Sequence, residues 1–257
     1  MSGKTVLINC SPKKKMSVSG FLMKCLGLMI GGEKIYAGMR VPSDRAKILE
    51  ALRDAGKVVF VMPLYVDSVP SHVLPLLMEM EKMCLESGLD LKVYVLANNG
   101  FIEGRQNEPL MCLMENFCNR AGITWCGGVG IGGGVMLNVM RILVCVQVGL
   151  TLLSTVSNIA QGAGLLEPVR SLGFSLLEIL VLCCGILTYT VRLARHVKHG
   201  TDAGKRYTRI MLPSFIFILL ADIFFAVTSL FQGGLFRGWL SRIKPDEKCG
   251  IIGAEDQ

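Results

Sequence analysis

The chain has 257 residues, with 27 Lys+Arg against 20 Asp+Glu and 7% aromatics. The modest positive excess is spread over both halves and excludes the dense basic, aromatic-interleaved face of a nucleic-acid binder. Mean hydropathy is +0.50, high for a water-soluble domain and concentrated after residue 135, so membrane contact enters as an expectation. Ten cysteines without a C-x-x-C pair argue against a zinc site or a cysteine-ligated iron–sulfur cluster, and fit small buried hydrophobes in a reducing compartment.

Residues 5–9, TVLIN, suit a buried strand that runs through a polar turn into a helix over 20–29. The turn gathers the hydroxyls of Ser11, Ser17 and Ser19, the lysines Lys13, Lys14 and Lys15, and the free N–H groups of a helix start. A phosphate dianion suits that combination. The apolar run before the lysines is too short for a signal peptide, which places the N-terminal half in the cytoplasm. A short strand at 34–37 and a helix over 44–55 with Ser43 as N-cap follow. The apolar run 58–62 has the character of a central parallel strand covered on both faces. Residues 63–70, PLYVDSVP, form the loop at its end, and a helix spans 71–86 with His72 at its start as a surface or capping residue.

A fourth strand, 91–97, discharges into the turn Asn98, Asn99, Gly100, Phe101. A helix over 107–121 and a fifth strand over 124–128 complete an alternating pattern. The expected fold class is therefore α/β, an open doubly wound five-stranded parallel sheet, with its ligand crevice at the strand C-terminal ends. The run 127–134, GGVGIGGG, contains a G-x-G-x-x-G match at Gly128, Gly130 and Gly133. It follows the last strand instead of the first, so it makes a weak dinucleotide fingerprint and reads as a flexible loop beside the crevice.

The order Ser11-Pro12-basic, then Ser17 and Ser19, directly after an apolar N-terminal strand, resembles the phosphate loop of NAD(P)H-dependent FMN reductases. The pattern of that flavodoxin-like family is Gly-Ser-Pro-Arg followed by Ser-x-Ser/Thr; here Cys10 stands in place of the Gly and Lys13 in place of the Arg. The likeness covers residues 4–134. It implies FMN as cofactor and NAD(P)H as co-substrate, with Ser11, Lys13, Ser17 and Ser19 at the phosphate. Pro63, Leu64, Tyr65 and Val66 on one side, and Asn98, Asn99, Gly100 and Phe101 on the other, would flank the isoalloxazine ring. It also implies a homodimer that completes the ring site. No triad or paired-carboxylate site is evident, so no side chain is assigned as catalytic, and none as a metal ligand. The expected activity is passage of electrons from NAD(P)H through FMN to a quinone, another flavin or a redox partner protein. Two alternatives stand beside it: an FMN electron carrier without nicotinamide turnover, and a ligand-free flavodoxin-like interaction domain on a membrane anchor.

Three apolar stretches follow, 142–166, 171–191 and 210–236, each long enough to cross a bilayer at about 20 residues. The first has a polar side that would also suit the helix closing the sheet. Glu178 and Asp222 are lone carboxyls in the second and third, and in lipid each would need to be protonated, paired or turned toward a neighbouring helix. Between them Arg192, Arg195, Lys198, Lys205, Arg206 and Arg209, with His196 and His199, read as a basic loop facing anionic lipid headgroups. Spans at the second and third stretches alone would put that loop outside, against the positive-inside rule. Three spans remove the closing helix, and a hairpin dipping into the cytoplasmic leaflet satisfies both demands. The expected division is a flavodoxin-like FMN-binding domain over 1–160 and a hydrophobic, membrane-associated helical region over 161–257.

Overall fold

The computed structural model describes residues 4–14, 16–160 and 166–231; the readings placed on Lys15 and on the ends of the first and third apolar stretches lie outside them. Two compact units divide the chain, Met1–Leu212 and Pro213–Gln257. In the first, the elements run β1 (Lys4–Asn9), α1 (Val18–Met29), β2 (Lys34–Gly38), α2 (Asp44–Arg53), β3 (Ala55–Pro63), α3 (Leu74–Ser87), β4 (Lys92–Asn98), α4 (Glu108–Ala121), β5 (Thr124–Gly132), α5 (Gly134–Ala160), α6 (Leu166–His199) and β6 (Lys205–Arg209). The second unit contains α7 (Ser214–Phe231), an apolar helix about 27 Å long at 1.5 Å per residue.

All strand pairs are parallel, in the order β2-β1-β3-β4-β5-β6. The first five reproduce the 2-1-3-4-5 order of flavodoxin-like sheets, whose switch point falls between β1 and β3. The central strands carry the apolar runs that two covered faces demand. On one face Val6, Ile8, Val58, Phe60, Met62, Val93 and Val95 join buried residues of α2, α3 and α4 in one cluster. The helix ends are set locally: Gly88 and Gly122 close α3 and α4 in the left-handed conformation. At α2 the expected Ser43 cap makes no side-chain bond; the Asp44 carboxylate instead accepts from the Arg40 and Val41 N–H groups at 2.9 and 3.0 Å.

The other face is closed by α1 and, beside it, by the last third of α6. Ile186, Thr190, Leu193, Ala194 and Val197 are buried there, and the Tyr94 hydroxyl donates to the carbonyls of His196 and Thr201 at 3.3 and 3.0 Å. This corrects two expectations. The closing helix comes from the second apolar stretch, not the first. The basic segment is no loop between spans, because it is the end of α6, a turn, and a sixth strand zipped onto β5 from Gly128 to Gly132. Accordingly the first compact unit ends at Leu212, beyond the boundary expected at residue 160.

The glycine-rich run is likewise a strand and not a flexible loop. A Cβ on Gly128 would lie 2.4 Å from the Val95 carbonyl oxygen, and one on Gly132 would lie 2.2 Å from that of Ile102. The segment 102–107 crosses β5 so closely that only bare backbone fits beneath it. Asn107, fully buried, pins the crossing by donating to the Gly104 and Ile131 carbonyls at 2.9 and 3.4 Å.

Between β5 and the closing helix, α5 and the first two-thirds of α6 form an antiparallel hairpin. Met140 Sδ lies 3.9 Å from Cys183 Sγ, and Gln147 donates to the Ser171 hydroxyl at 3.3 Å. Both helices are long and apolar enough to cross a membrane, and almost none of the 18-residue apolar window in each is buried within the chain. Glu178 is exposed on this hairpin and forms no ion pair among the described residues.

Candidate functional site

The turn after β1 is organised by Asn9, a residue the sequence reading treated only as the end of a strand. Its buried carboxamide oxygen accepts from the Ser11 N–H at 3.1 Å, while its Nδ2 abuts the site where a Cβ on Gly20 would stand, 3.1 Å away. Asn9 thus ties the turn to the first turn of α1. The available signal was a polar side chain closing an otherwise apolar strand, which in a parallel sheet falls on the ligand edge.

Ser17 is the N-cap of α1: its backbone is extended and its hydroxyl accepts from the Gly20 N–H at 3.1 Å. The N–H groups of Val18 and Ser19 therefore begin the helix with no partner within its own ladder. Ser11 is buried, and its hydroxyl accepts from the Lys13 N–H at 3.4 Å. Lys13 and Lys14 are exposed beside it. Hydroxyls, a helix N-terminus and two free ammonium groups thus meet at one turn, a donor set that fits an anionic phosphate ester.

Ser19 does not join that set. It is buried, and its hydroxyl accepts from Asn98 Nδ2 at 2.8 Å across the sheet. The same Nδ2 also donates to the Met62 carbonyl at 3.0 Å, and the Asn98 carbonyl accepts from the Leu64 N–H at 2.8 Å. Asn98 is therefore the knot that holds the ends of β3 and β4 against α1. Leu64 packs into the core and Pro63 ends β3, so of the first ring loop only Tyr65 and Val66 stand out. They begin a two-residue reversal in which Tyr65 and Ser68 exchange backbone bonds at 3.0 and 3.1 Å.

Val66 and Asp67 occupy that reversal at φ 47° and 55°. The left-handed region is disfavoured for any residue with a Cβ and most for a β-branched one, by about 1–3 kcal/mol. Even so, the chain holds Val66 there, 98% exposed. On the second ring loop Asn99 is buried, donates to the Glu103 carbonyl at 3.0 Å and accepts at its own carbonyl from Gly134 N–H at 2.7 Å. Its Oδ1 is buried without a partner among the described residues, an acceptor suited to a ligand N–H. Gly100 and Phe101 are exposed at the tip. Thus Tyr65, Val66, Gly100 and Phe101 line the open side of the edge, while Leu64, Asn98 and Ser19 form its floor.

Cys10, which takes the place of the family's Gly, points away from the turn into the core beneath β3 and leaves the cradle clear. Burial pushes its thiol well above the usual range. In the native protein at pH 8, iodoacetamide is expected to spare Cys10 while modifying Cys184 at the foot of the hairpin and the part-exposed Cys112 of α4. Peptide mass mapping reads this out, and alkylation of Cys10 at the rate of the exposed thiols would show that the thiol lies in the cradle.

His72 is held at 3.1 Å from the Met39 carbonyl, an internal tie between β2 and the turn before α3. His196 contacts the Thr201 hydroxyl at 2.9 Å, within the turn that leads to β6.

No family model matches the sequence, and no curated protein matches it. Among solved structures the chain is similar to a Trp repressor binding protein from Bacillus subtilis, at 17% identity and a TM-score of 0.42, over 50% of this chain and 84% of that one. It is similar also to an NAD(P)H:quinone oxidoreductase from Methanothermobacter marburgensis, at 15% identity and a TM-score of 0.43, covering 55% and 92%. A third is the flavoenzyme NAD(P)H:(acceptor) oxidoreductase FerB from Paracoccus denitrificans, at 13% identity and 0.40, covering 48% and 74%. The flavodoxin-like character of the fold rests on its own strand order, in which β1 and β3 diverge at the edge where Ser17, Lys13 and the exposed loop tips converge.

Proposed function

We propose that this chain is a membrane-attached flavoprotein that takes reducing equivalents from NAD(P)H onto FMN and passes them to an acceptor such as a quinone, a second flavin or a redox protein. One observation carries this reading: a capped helix N-terminus with Ser11, Ser17, Lys13 and Lys14 stands at the switch point, and two loops tied together through Asn98 flank it. FMN, when bound there, supplies the hydride-accepting ring. The chain's own groups bind and orient. The β1–α1 turn would hold the phosphate, Tyr65 and Phe101 would offer apolar area beside the ring, and the unpartnered Asn99 oxygen would accept from a ring N–H. The reading includes a homodimer and a cytoplasmic sheet domain. The latter follows from the hairpin, because Arg141, Arg192 and Arg195 flank it on the sheet side, as the positive-inside rule asks.

The purified protein mixed with FMN is expected to retain a flavin spectrum after gel filtration, and stopped-flow mixing with NADH or NADPH to bleach it. A retained flavin that neither nicotinamide bleaches would make the chain an electron carrier. Loss of all flavin on filtration would remove both redox readings. The serines sharpen the test. Ser11→Ala and Ser17→Ala should each weaken FMN binding by about 0.5–3 kcal/mol. Ser19→Ala should leave FMN affinity unchanged and lower unfolding stability by about 1–3 kcal/mol, because it strips a buried Asn98 N–H of its acceptor. Equal losses of affinity for all three would put the phosphate against Ser19 and contradict the arrangement described.

A further inference from the structure

We infer that the ligand edge of the sheet lies against a lipid bilayer with anionic headgroups, and that the α5–α6 hairpin passes from that edge into the hydrocarbon. The inference rests on the membrane attachment proposed above and adds which side of the sheet domain meets the lipid. Its first support is where the hairpin is rooted. At one root, α5 starts directly after β5, with the Gly134 N–H bonded to Asn99. At the other, the Leu182 carbonyl accepts from Met211 N–H at 2.9 Å, and a Cβ on Gly185 would lie 2.8 Å from Thr208 Oγ1 at the end of β6. The far end of α6 sits over the opposite edge: the carbonyls of Lys198 and Gly200 accept from Lys57 and Lys92, which stand at the beginnings of β3 and β4, at 3.0 and 2.8 Å. Hence α6 crosses the sheet from one edge to the other, and most of what precedes Leu182 projects past the ligand edge, with Leu176, Ile179 and Leu180 still beside Phe21 and Leu22 of α1.

Length and charge identify the occupant. Residues 142–160 and 166–182 extend about 25–28 Å at 1.5 Å per residue, against about 30 Å of hydrocarbon. The first segment has no charge; the second has Glu167 and Arg170 near the tip, with Glu178 as the one carboxylate between Arg170 and Arg192. The edge itself then repeats the pattern of a membrane-facing surface. Met16, Val41, Val66, Phe101 and Met211, one after each of β1, β2, β3, β4 and β6, are exposed large apolar side chains, and Tyr65 joins Val66. Among the described residues, the connections at the opposite edge (30–33, 54, 88–91, 122–123 and 200–204) carry none. Lys13, Lys14, Arg40 and Arg141 lie with the apolar tips, against Asp44, Asp67 and Glu103, of which Asp44 accepts from the Arg40 and Val41 N–H groups and Glu103 is paired with Arg209. That is the mixture of basic and amphipathic groups that seats a protein at a headgroup layer. The strained Val66 turn gains a reason from this placement, since it thrusts a branched apolar side chain outward where water alone would reward none.

Environment-sensitive nitrobenzoxadiazole labels test it in the full chain. Leu153→Cys on the hairpin, Val66→Cys and Phe101→Cys on the edge, and Asp90→Cys on the opposite edge would each be labelled singly. The background has Cys25, Cys112, Cys145, Cys183, Cys184 and Cys249 replaced by Ser or Ala and keeps the four buried thiols. In vesicles of phosphatidylcholine and phosphatidylglycerol bearing shallow nitroxide lipids, quenching is expected at 153, 66 and 101, with slopes at 66 and 101 several-fold above that at 90. Quenching at 153 with 66 and 101 no more quenched than 90 would overturn the orientation and leave the attachment standing. Absence of quenching at all four positions would overturn the attachment and the orientation together.

Discussion

Aspartate at Leu193 is expected to unfold the sheet domain, whereas aspartate at Leu177, 16 positions earlier in the same helix, is expected to leave it folded. Leu193 is 1% exposed in the part of α6 that covers the sheet, and Leu177 is 54% exposed in the part that projects from it. A carboxylate at 193 would be buried against Val129 of β5 and Ala203, and a buried charge that is not fully paired costs about 4 kcal/mol or more. That is a large fraction of the 5–15 kcal/mol by which domains are stable. At 177 the carboxylate costs the folded sheet nothing and instead opposes transfer into lipid, by about 2.5–3.5 kcal/mol near a helix centre. Circular dichroism melts in detergent separate the two variants, and alkaline extraction of membranes reads retention. If Leu177→Asp lowered the melting temperature as far as Leu193→Asp, the division of α6 into two working halves would be wrong.

Gly128→Val is expected to prevent the native sheet from forming at all. A Cβ there would stand 2.4 Å from the Val95 carbonyl oxygen, which is backbone in the neighbouring strand and has nowhere to move without breaking the β4–β5 ladder. Overpacking of a flexible core is typically a matter of about 1–3 kcal/mol; collision with a paired carbonyl is worse, because relief requires separating two central strands. Gly149→Val is the control, since nothing lies within 4 Å of its Cβ position on the hairpin. The expected result is insoluble or protease-sensitive Gly128→Val beside a Gly149→Val protein indistinguishable from wild type. Normal expression and melting of Gly128→Val would refute the close approach described.

What the sequence discloses and what it withholds follow from the range of the interactions involved. Strands β1, β3 and β4 are legible because two covered faces leave unbroken apolar runs, and their order with the intervening helices yields the doubly wound sheet. The β1–α1 cradle is legible through local chemistry, a serine cap and lysines within a few residues. Three features depend on partners more than 20 residues away and escape local reading. The second half of strand β5, residues 129–132, is hidden by its glycines, of which Gly130 and Gly132 are there because segment 102–107 presses on them. Strand β6, KRYTR, has three charges in five residues and looks like a solvated loop until its pairing with β5 supplies the backbone bonds. The division of α6 into an exposed half and a half that covers the sheet is invisible to hydropathy, because an apolar residue projecting from the sheet domain and one packed on it are written in the same letters. Ser19 is the small-scale version: its hydroxyl type fits a phosphate site, and only Asn98 opposite decides that it faces inward.

The position of the hairpin within the chain also constrains how the molecule can be made. Its closing helix and outermost strand are the last parts of the first unit to leave the ribosome, and Lys57 waits for a partner 141 positions downstream while Lys92 waits for one 108 downstream. Until they arrive, the nascent sheet has one face only partly covered, by α1, and an open β5 border, the kind of surface that aggregates or recruits chaperones. Non-local closure of this sort slows folding, and here two long apolar helices must be synthesised in the interval. Synthesis therefore imposes an order, in which the hairpin is produced first and the sheet domain is sealed afterwards.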